Sequence, residues 1–175
     1  MDEKAQYWIE TLHLSAHPEG GWFREIYKSD RSFPFTFYPD KGVVNRNLST
    51  AIYYLLSGKD FSAFHRLKAD ELWHYYDGNS ALEIDIIHPD GELTSLWLGR
   101  NPGKGEFPVH IVPANTWFAA NLVEPSGYIL AGCTVSPGFR FDDFEPGDAA
   151  VLTDLYPQHK DIIEKLTVKR PRQGG

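Results

Sequence analysis

Leu82-Glu83-Ile84-Asp85-Ile86 alternates apolar and polar residues without a break, the two-residue period that sends three apolar side chains to one face of a β-strand. Pro89-Asp90-Gly91 follows, a turn signal that folds the next segment back as a hairpin. Working outward, residues 21–27, 50–57, 62–67, 72–76, 81–88, 92–98, 109–112, 117–123 and 128–135 are short, rich in aromatic or branched side chains and separated by turn residues. Nine strands are therefore predicted. Strands this short with hairpin punctuation, and with no strand–helix alternation, imply an antiparallel sandwich or barrel rather than a parallel α/β sheet.

Helical spacing occurs at the two ends of the chain. Ala5, Trp8, Ile9 and Leu12 form a stripe with Asp2 available as a cap, which predicts a helix over about 3–13 that stops before His17-Pro18-Glu19-Gly20-Gly21. Ile162, Ile163 and Leu166 predict a second short helix over about 158–166. Lys169, Arg170 and Arg172 ahead of Gly174-Gly175 make a basic tail over 168–175, read as a frayed end. The connections 32–47 and 99–107 read as long loops. No internal repeat is found.

Composition narrows the function classes. A chain of 175 residues suits one domain, and 42% hydrophobic with 23% charged residues excludes a disordered or coiled-coil chain. The net charge of −7 disfavours nucleic acid and anionic membrane surfaces as partners. Cys133 stands alone, so no intramolecular disulfide forms, and its apolar strand marks it as buried and inert. The start Met1-Asp2-Glu3-Lys4 carries no secretion signal and the apolar runs are too short to span a bilayer, so a cytoplasmic location without membrane contact is expected.

Chemistry concentrates in Gly58-Lys59-Asp60-Phe61-Ser62-Ala63-Phe64-His65-Arg66-Leu67-Lys68-Ala69-Asp70-Glu71-Leu72-Trp73-His74-Tyr75-Tyr76-Asp77-Gly78. This stretch resembles the first motif of the cupin superfamily, with His65 at the first histidine, Glu71 at the glutamate, Gly78 at the closing glycine and Leu67 where a second histidine stands. Pro113-Ala114-Asn115-Thr116-Trp117-Phe118 resembles the second motif, with Asn115 at the turn glycine and Phe118 at the third metal-binding histidine. Asn also visits left-handed conformations, so Asn115 suits the turn. The blocks His17-Pro18-Glu19-Gly20-Gly21-Trp22-Phe23-Arg24-Glu25, Thr50-Ala51-Ile52-Tyr53-Tyr54-Leu55-Leu56 and Gly132-Cys133-Thr134-Val135-Ser136-Pro137-Gly138-Phe139 extend the likeness to a small single-domain cupin family of unassigned function. The resemblance implies a mainly all-β, single-domain jelly-roll β-barrel with short flanking helices, its core over about 13–145, pairing into a homodimer. It implies no settled activity, so function is argued from the site.

Two of the four ligands of a metal-dependent cupin remain, short of the three or four that a stable divalent site needs. No metal and no cofactor is therefore expected. The alternative is a divalent ion held by His65, Glu71 and His74, although plain alternation from Glu71 sends Trp73 and Tyr75 inward and His74 out. The preferred reading is a small polar ligand, sugar-like or anionic, bound in the barrel, with a metal-independent isomerase or epimerase as the enzyme reading. A neutral imidazole at His65 exchanges protons near neutral pH. By likeness to metal-free cupin epimerases acting on nucleotide sugars, Tyr75 or Tyr53 is the candidate acid. Catalytic candidates are thus His65, Glu71 and Tyr75; ligand-binding candidates are Arg24 as a cation for an anionic group, Tyr53, His74, and Trp73, Trp117 and Phe118 as flat apolar platforms. A metal-dependent enzyme using His65 and Glu71, or a non-catalytic binding or storage-like protein, remain alternatives. His13, His88, His110 and His159 show no ligand spacing.

Overall fold

The computed structural model describes residues 2–36 and 42–168. The expected tail residues Lys169, Arg170 and Arg172 lie outside the described residues. One six-stranded sheet runs in the order β1 (Ser15–Ala16), β2 (Trp22–Lys28), β5 (Thr50–Ser57), β13 (Tyr128–Ser136), β7 (Asp70–Gly78) and β11 (Val109–Val112). The second runs β10 (Glu106–Phe107), β9 (Leu93–Leu98), β8 (Leu82–Ile87), β12 (Trp117–Leu122), β6 (Phe61–Arg66) and β14 (Glu145–Pro146). Neighbours pair antiparallel except β9 with β10. The two sheets sandwich one core, and the arrangement is the expected jelly roll.

Strand alternation decides what enters that core. Leu82, Ile84 and Ile86 pair across β12 with Leu122, Ala120 and Phe118, and all six are buried between the sheets. From the other sheet come Tyr54, Leu56, Trp73, Ile129, Ala131, Cys133 and Val135. Their neighbours along each strand point outward, and helices cover part of that outer surface. Helix α1 (Glu3–Thr11), capped by the Asp2 carboxylate on the Lys4 and Ala5 amides, seats Ala5 and Ile9 on Leu55, Tyr128 and Leu130. Helices α2 (Ala149–Leu155) and α3 (Lys160–Lys165) place Leu152 and Ile163 on Phe64, Ile87, Trp117 and Ala119.

The nine predicted strands are all present, with ends shifted by a residue or two. The predicted C-terminal helix is a 3-10 turn, Pro157–His159, followed by α3. Helix α2 is unpredicted because its seven residues contribute one buried side chain, Leu152, too few to make a periodic stripe. The expected loop 32–47 instead carries a hairpin of β3 (Ser32–Phe35) and β4 (Val44–Asn47).

Candidate functional site

A cavity of about 130 Å³ opens at one end of the sandwich, lined by His65, Glu71, His17, Ile52, Cys133 and Val135 among others. Phe139, Phe141 and Phe144 close one side of it. Its volume is close to that of an apolar cavity known to hold benzene, so it suits a body of about that size.

His65 and Glu71 reach this cavity by different routes. His65 sits on β6, where a bulge opposite Phe118 and Ala120 inserts one extra residue. Its Nδ1 lies 2.7 Å from the Ala63 carbonyl. A carbonyl only accepts, so the neutral ring carries its proton on Nδ1 and presents the Nε2 lone pair. Phe118 packs on the ring at 4.1 Å between centroids and Phe144 at 5.2 Å. The residue is 6% exposed, and burial pushes its pKa down to about 4, with nearby His17 adding to the effect. Glu71, on β7, is 7% exposed and accepts the indole N–H of Trp73 at Oε2, 2.9 Å away. Among the described residues Oε1 has no such partner. Burial pushes this carboxyl up to about 7, so its charged and neutral forms coexist near neutral pH.

His17 is the third polar group, and its place follows from the double glycine. Gly20 (φ +107°) and Gly21 (φ +71°) adopt left-handed backbone. A Cβ on Gly20 would collide with the Phe61 carbonyl, so only glycine lets the 17–21 turn lie flush on β6. The turn is stitched down by Ala63 N–H to the Glu19 carbonyl (3.0 Å) and the Tyr54 hydroxyl to the Gly20 carbonyl (2.7 Å). Within it the Glu19 amide donates to His17 Nδ1 at 3.2 Å. That fixes the neutral His17 ring as the opposite tautomer, with its proton on Nε2. Burial holds this ring near a pKa of about 4 as well.

The other expected site residues lie elsewhere, for reasons of strand parity and position. Tyr75 points inward but donates its hydroxyl to the Gly78 carbonyl (2.9 Å) and lines a separate polar recess with Arg100 and Lys104. Tyr53 packs with the α1 cluster on the outer face and edges onto Tyr76. Neither tyrosine lines the cavity, which corrects the expectation of a tyrosine acid beside His65. Arg24 donates to the Leu12 carbonyl at 2.9 Å on that same outer face. Among the described residues no Lys or Arg lines the cavity, so the cation expected for an anionic ligand is not there. Trp117 faces outward beneath Arg66, whose guanidinium lies 4.6 Å from the ring centroid and pairs with Glu145. Trp73 and Phe118 act behind the cavity, one anchoring Glu71 and the other packing on His65.

His74 faces outward and meets Thr134 Oγ1 at 3.2 Å, so it cannot join His65 and Glu71. Among the described residues no group of three or more His, Cys, Asp or Glu is disposed to hold an ion. The residues present therefore do not fit the metal centre of a metal-dependent cupin. Cys133 is buried on the cavity wall, and burial pushes its thiol well above the usual range, with Glu71 adding to the shift. Asn115 has φ +63°, the left-handed turn expected of it, and Asp70 accepts the Ala114 amide beside it.

The model of the cupin superfamily family Cupin_5 (DUF985) matches residues 6–146. A Shewanella oneidensis protein of known crystal structure is 40% identical, superposes with a TM-score of 0.83, and is matched over 95% of this chain and 98% of its own. A hypothetical protein from Leishmania major is 30% identical with a TM-score of 0.84, over 94% and 99% of the two chains. The uncharacterized yeast protein YML079W is 31% identical over 152 residues, covering 79% of this chain and 72% of its own.

Proposed function

Because the chain belongs to the DUF985 family of the cupin superfamily, whose fold leaves the chemistry to the barrel interior, we propose that it binds a small uncharged ligand in this cavity and moves a proton on it without a metal. The single observation that carries the reading is the Glu71 carboxyl, which lines the cavity, is held at Oε2 by the Trp73 indole and has no hydrogen-bond partner at Oε1 among the described residues. A carboxyl poised near pH 7 matches both donor and acceptor roles, which is the requirement for isomerisation or epimerisation. His65, held neutral, is a weak base there; its Nε2 lone pair serves as a hydrogen-bond acceptor that orients the ligand. The lack of a lining cation favours an uncharged ligand over an anionic one, and the volume favours a body smaller than a nucleotide sugar.

The test is solvent isotope exchange. Small uncharged ketones, amides and sugars are incubated with the protein in D2O, and deuterium entering the carbon next to the polar group is followed by proton NMR. The expected result is exchange by the wild type and a loss of about 100-fold or more in Glu71→Gln with binding retained. Exchange unaffected by that substitution overturns the reading, as does its absence with every probe. Pairing into a homodimer belongs to the same proposal. Tyr76, Val109 and Ile111, 49%, 45% and 55% exposed, give the outer face of β7 and β11 an apolar surface for it. Sedimentation should give a dimer that Ile111→Lys dissociates; a wild-type monomer refutes the pairing.

A further inference from the structure

The two histidines of the cavity are locked by backbone groups into opposite tautomers. His65 gives its Nδ1 proton to the Ala63 carbonyl and offers a lone pair at Nε2. His17 accepts the Glu19 amide at Nδ1 and offers an N–H at Nε2. Neither Nε2 has a hydrogen-bond partner among the described residues, and both rings line the cavity. Each lock is set by the main chain, through the bulged β6 for one ring and the double-glycine turn for the other, so neither ring swaps roles without losing a hydrogen bond. One donor and one acceptor, both uncharged, thus share a small space whose other walls are mostly apolar, with Glu71, Thr50 and the exposed Glu25 as the further polar side chains and Cys133 on the wall.

We propose that His17 is a specificity-determining donor, and that the His17–His65 pair selects an uncharged α-hydroxy carbonyl compound with a short apolar body. The carbonyl oxygen accepts from His17 Nε2–H, the neighbouring hydroxyl donates to His65 Nε2, and the hydrocarbon part lies against Phe139 and Phe144. This deepens the proton-transfer reading and rests on it for the chemical step. In that step Glu71 Oε1 takes the proton from the carbon bearing the hydroxyl. The C–H bond breaks, its electron pair becomes the new C=C bond, and the former carbonyl pair settles on the oxygen held by His17. Return of the proton to the same carbon gives back the substrate or its epimer. Return to the former carbonyl carbon, with the hydroxyl's proton passing to the oxygen held by His17 as its own oxygen becomes the new carbonyl, gives the positional isomer, and no other reactant is consumed. Burial keeps both rings neutral, so neither supplies the counter-charge a carboxylate ligand needs.

The experiment is a matched series read by ligand-observed NMR titration. The probes are 3-hydroxy-2-butanone, 2-butanone without the hydroxyl, 2,3-butanediol without the carbonyl, and lactate with the charge. The expected order places 3-hydroxy-2-butanone about tenfold tighter than each of the others, since 2-butanone leaves the His65 lone pair without a donor, the diol brings a second O–H that the His17 donor cannot accept, and lactate brings a charge that no lining cation offsets; tenfold corresponds to about 1.4 kcal/mol. His17→Asn keeps an acceptor for the Glu19 amide but has no donor at the Nε2 position; it should lose the preference over the diol. His17→Gln carries an amide N–H toward that position and should keep most of it. Lactate or diol binding as tightly as the hydroxy ketone to the wild type overturns the inference, whatever the variants do. So does a preference unchanged in His17→Asn, or failure of all four probes to bind. A His17-dependent preference without deuterium exchange supports the assignment of His17 and sinks only the proton-transfer reading.

Discussion

Replacing Glu71 by glutamine should stabilise the folded protein at alkaline pH and leave it unchanged in acid. The carboxyl accepts one hydrogen bond, from the Trp73 indole, and burial lifts its pKa from 4.5 to about 7. Between those values the folded chain holds a proton that the unfolded chain has released, so stability falls as pH rises through the window and levels off above it. At 1.36 kcal/mol per pH unit the loss amounts to about 3 kcal/mol. Glutamine presents a carbonyl to the same indole and never ionises, so it escapes this loss. The difference in unfolding free energy between variant and wild type should therefore grow by about 3 kcal/mol from about pH 4.5 to about pH 8. Urea unfolding followed by tryptophan fluorescence measures it at each pH, and groups common to both proteins cancel in the difference. Parallel stability profiles across the window would show that Glu71 is solvated or paired in solution and would refute the reasoning.

His65→Asn keeps an N–H for the Ala63 carbonyl and removes the titrating ring. The wild type loses stability as pH falls from 6.5 toward about 4, where the unfolded chain takes up a proton that the buried ring refuses; the variant should lose about 3 kcal/mol less over that range in the same urea assay, and equal acid limbs contradict this. Asp143→Ala removes the carboxylate 2.6 Å from Arg46, both side chains being buried, and should cost about 3–5 kcal/mol by calorimetry. A cost near zero would mean the pair is solvated. Gly20→Ala, at φ +107° and against the Phe61 carbonyl, should cost about 2 kcal/mol or more in urea unfolding and weaken ligand binding, because the turn that carries His17 must lift. Unchanged stability would show that the turn does not lie flush on β6.

The fold was legible because alternation and turn chemistry are local. Leu82, Ile84 and Ile86 declare their face within five residues, and their partners on β12 do the same. The same parity correctly sent His74 outward and Trp73 inward. The site was legible only in part. His65 and Glu71 stood out through motif spacing, but spacing along β7 cannot tell which end of the barrel a side chain faces, and so Tyr75 looked as near to His65 as Glu71 does. His17 lies 48 residues from His65 and reaches it only because the 17–21 turn folds over β6. Its one local signal was Gly20-Gly21, which reads as a turn in any fold. Phe139, Phe141 and Phe144 come from a segment with no strand pattern, brought over the cavity by the pairing of Pro146 with His65 and the buried Arg46–Asp143 pair. Contacts made by long loops leave no periodic trace.

Phe118 connects the missing metal ligands to the character of the site. By likeness to metal-dependent cupins, it stands where a third histidine would. Here its ring lies 4.1 Å from that of His65 and adds apolar bulk behind the cavity. Burial is what holds His65 neutral, and a similar burial lifts Glu71 toward neutrality. The phenylalanine thus contributes to the low-polarity surroundings in which the neighbouring groups become uncharged hydrogen-bonding partners. Uncharged groups bind well only where they are aimed, since a misdirected buried donor or acceptor costs more than it returns. The main chain does the aiming, through the Ala63 carbonyl on His65 and the Glu19 amide on His17. The direction in which these polar groups face the cavity therefore resides as much in the bulge of β6 and the double-glycine turn as in the side chains themselves.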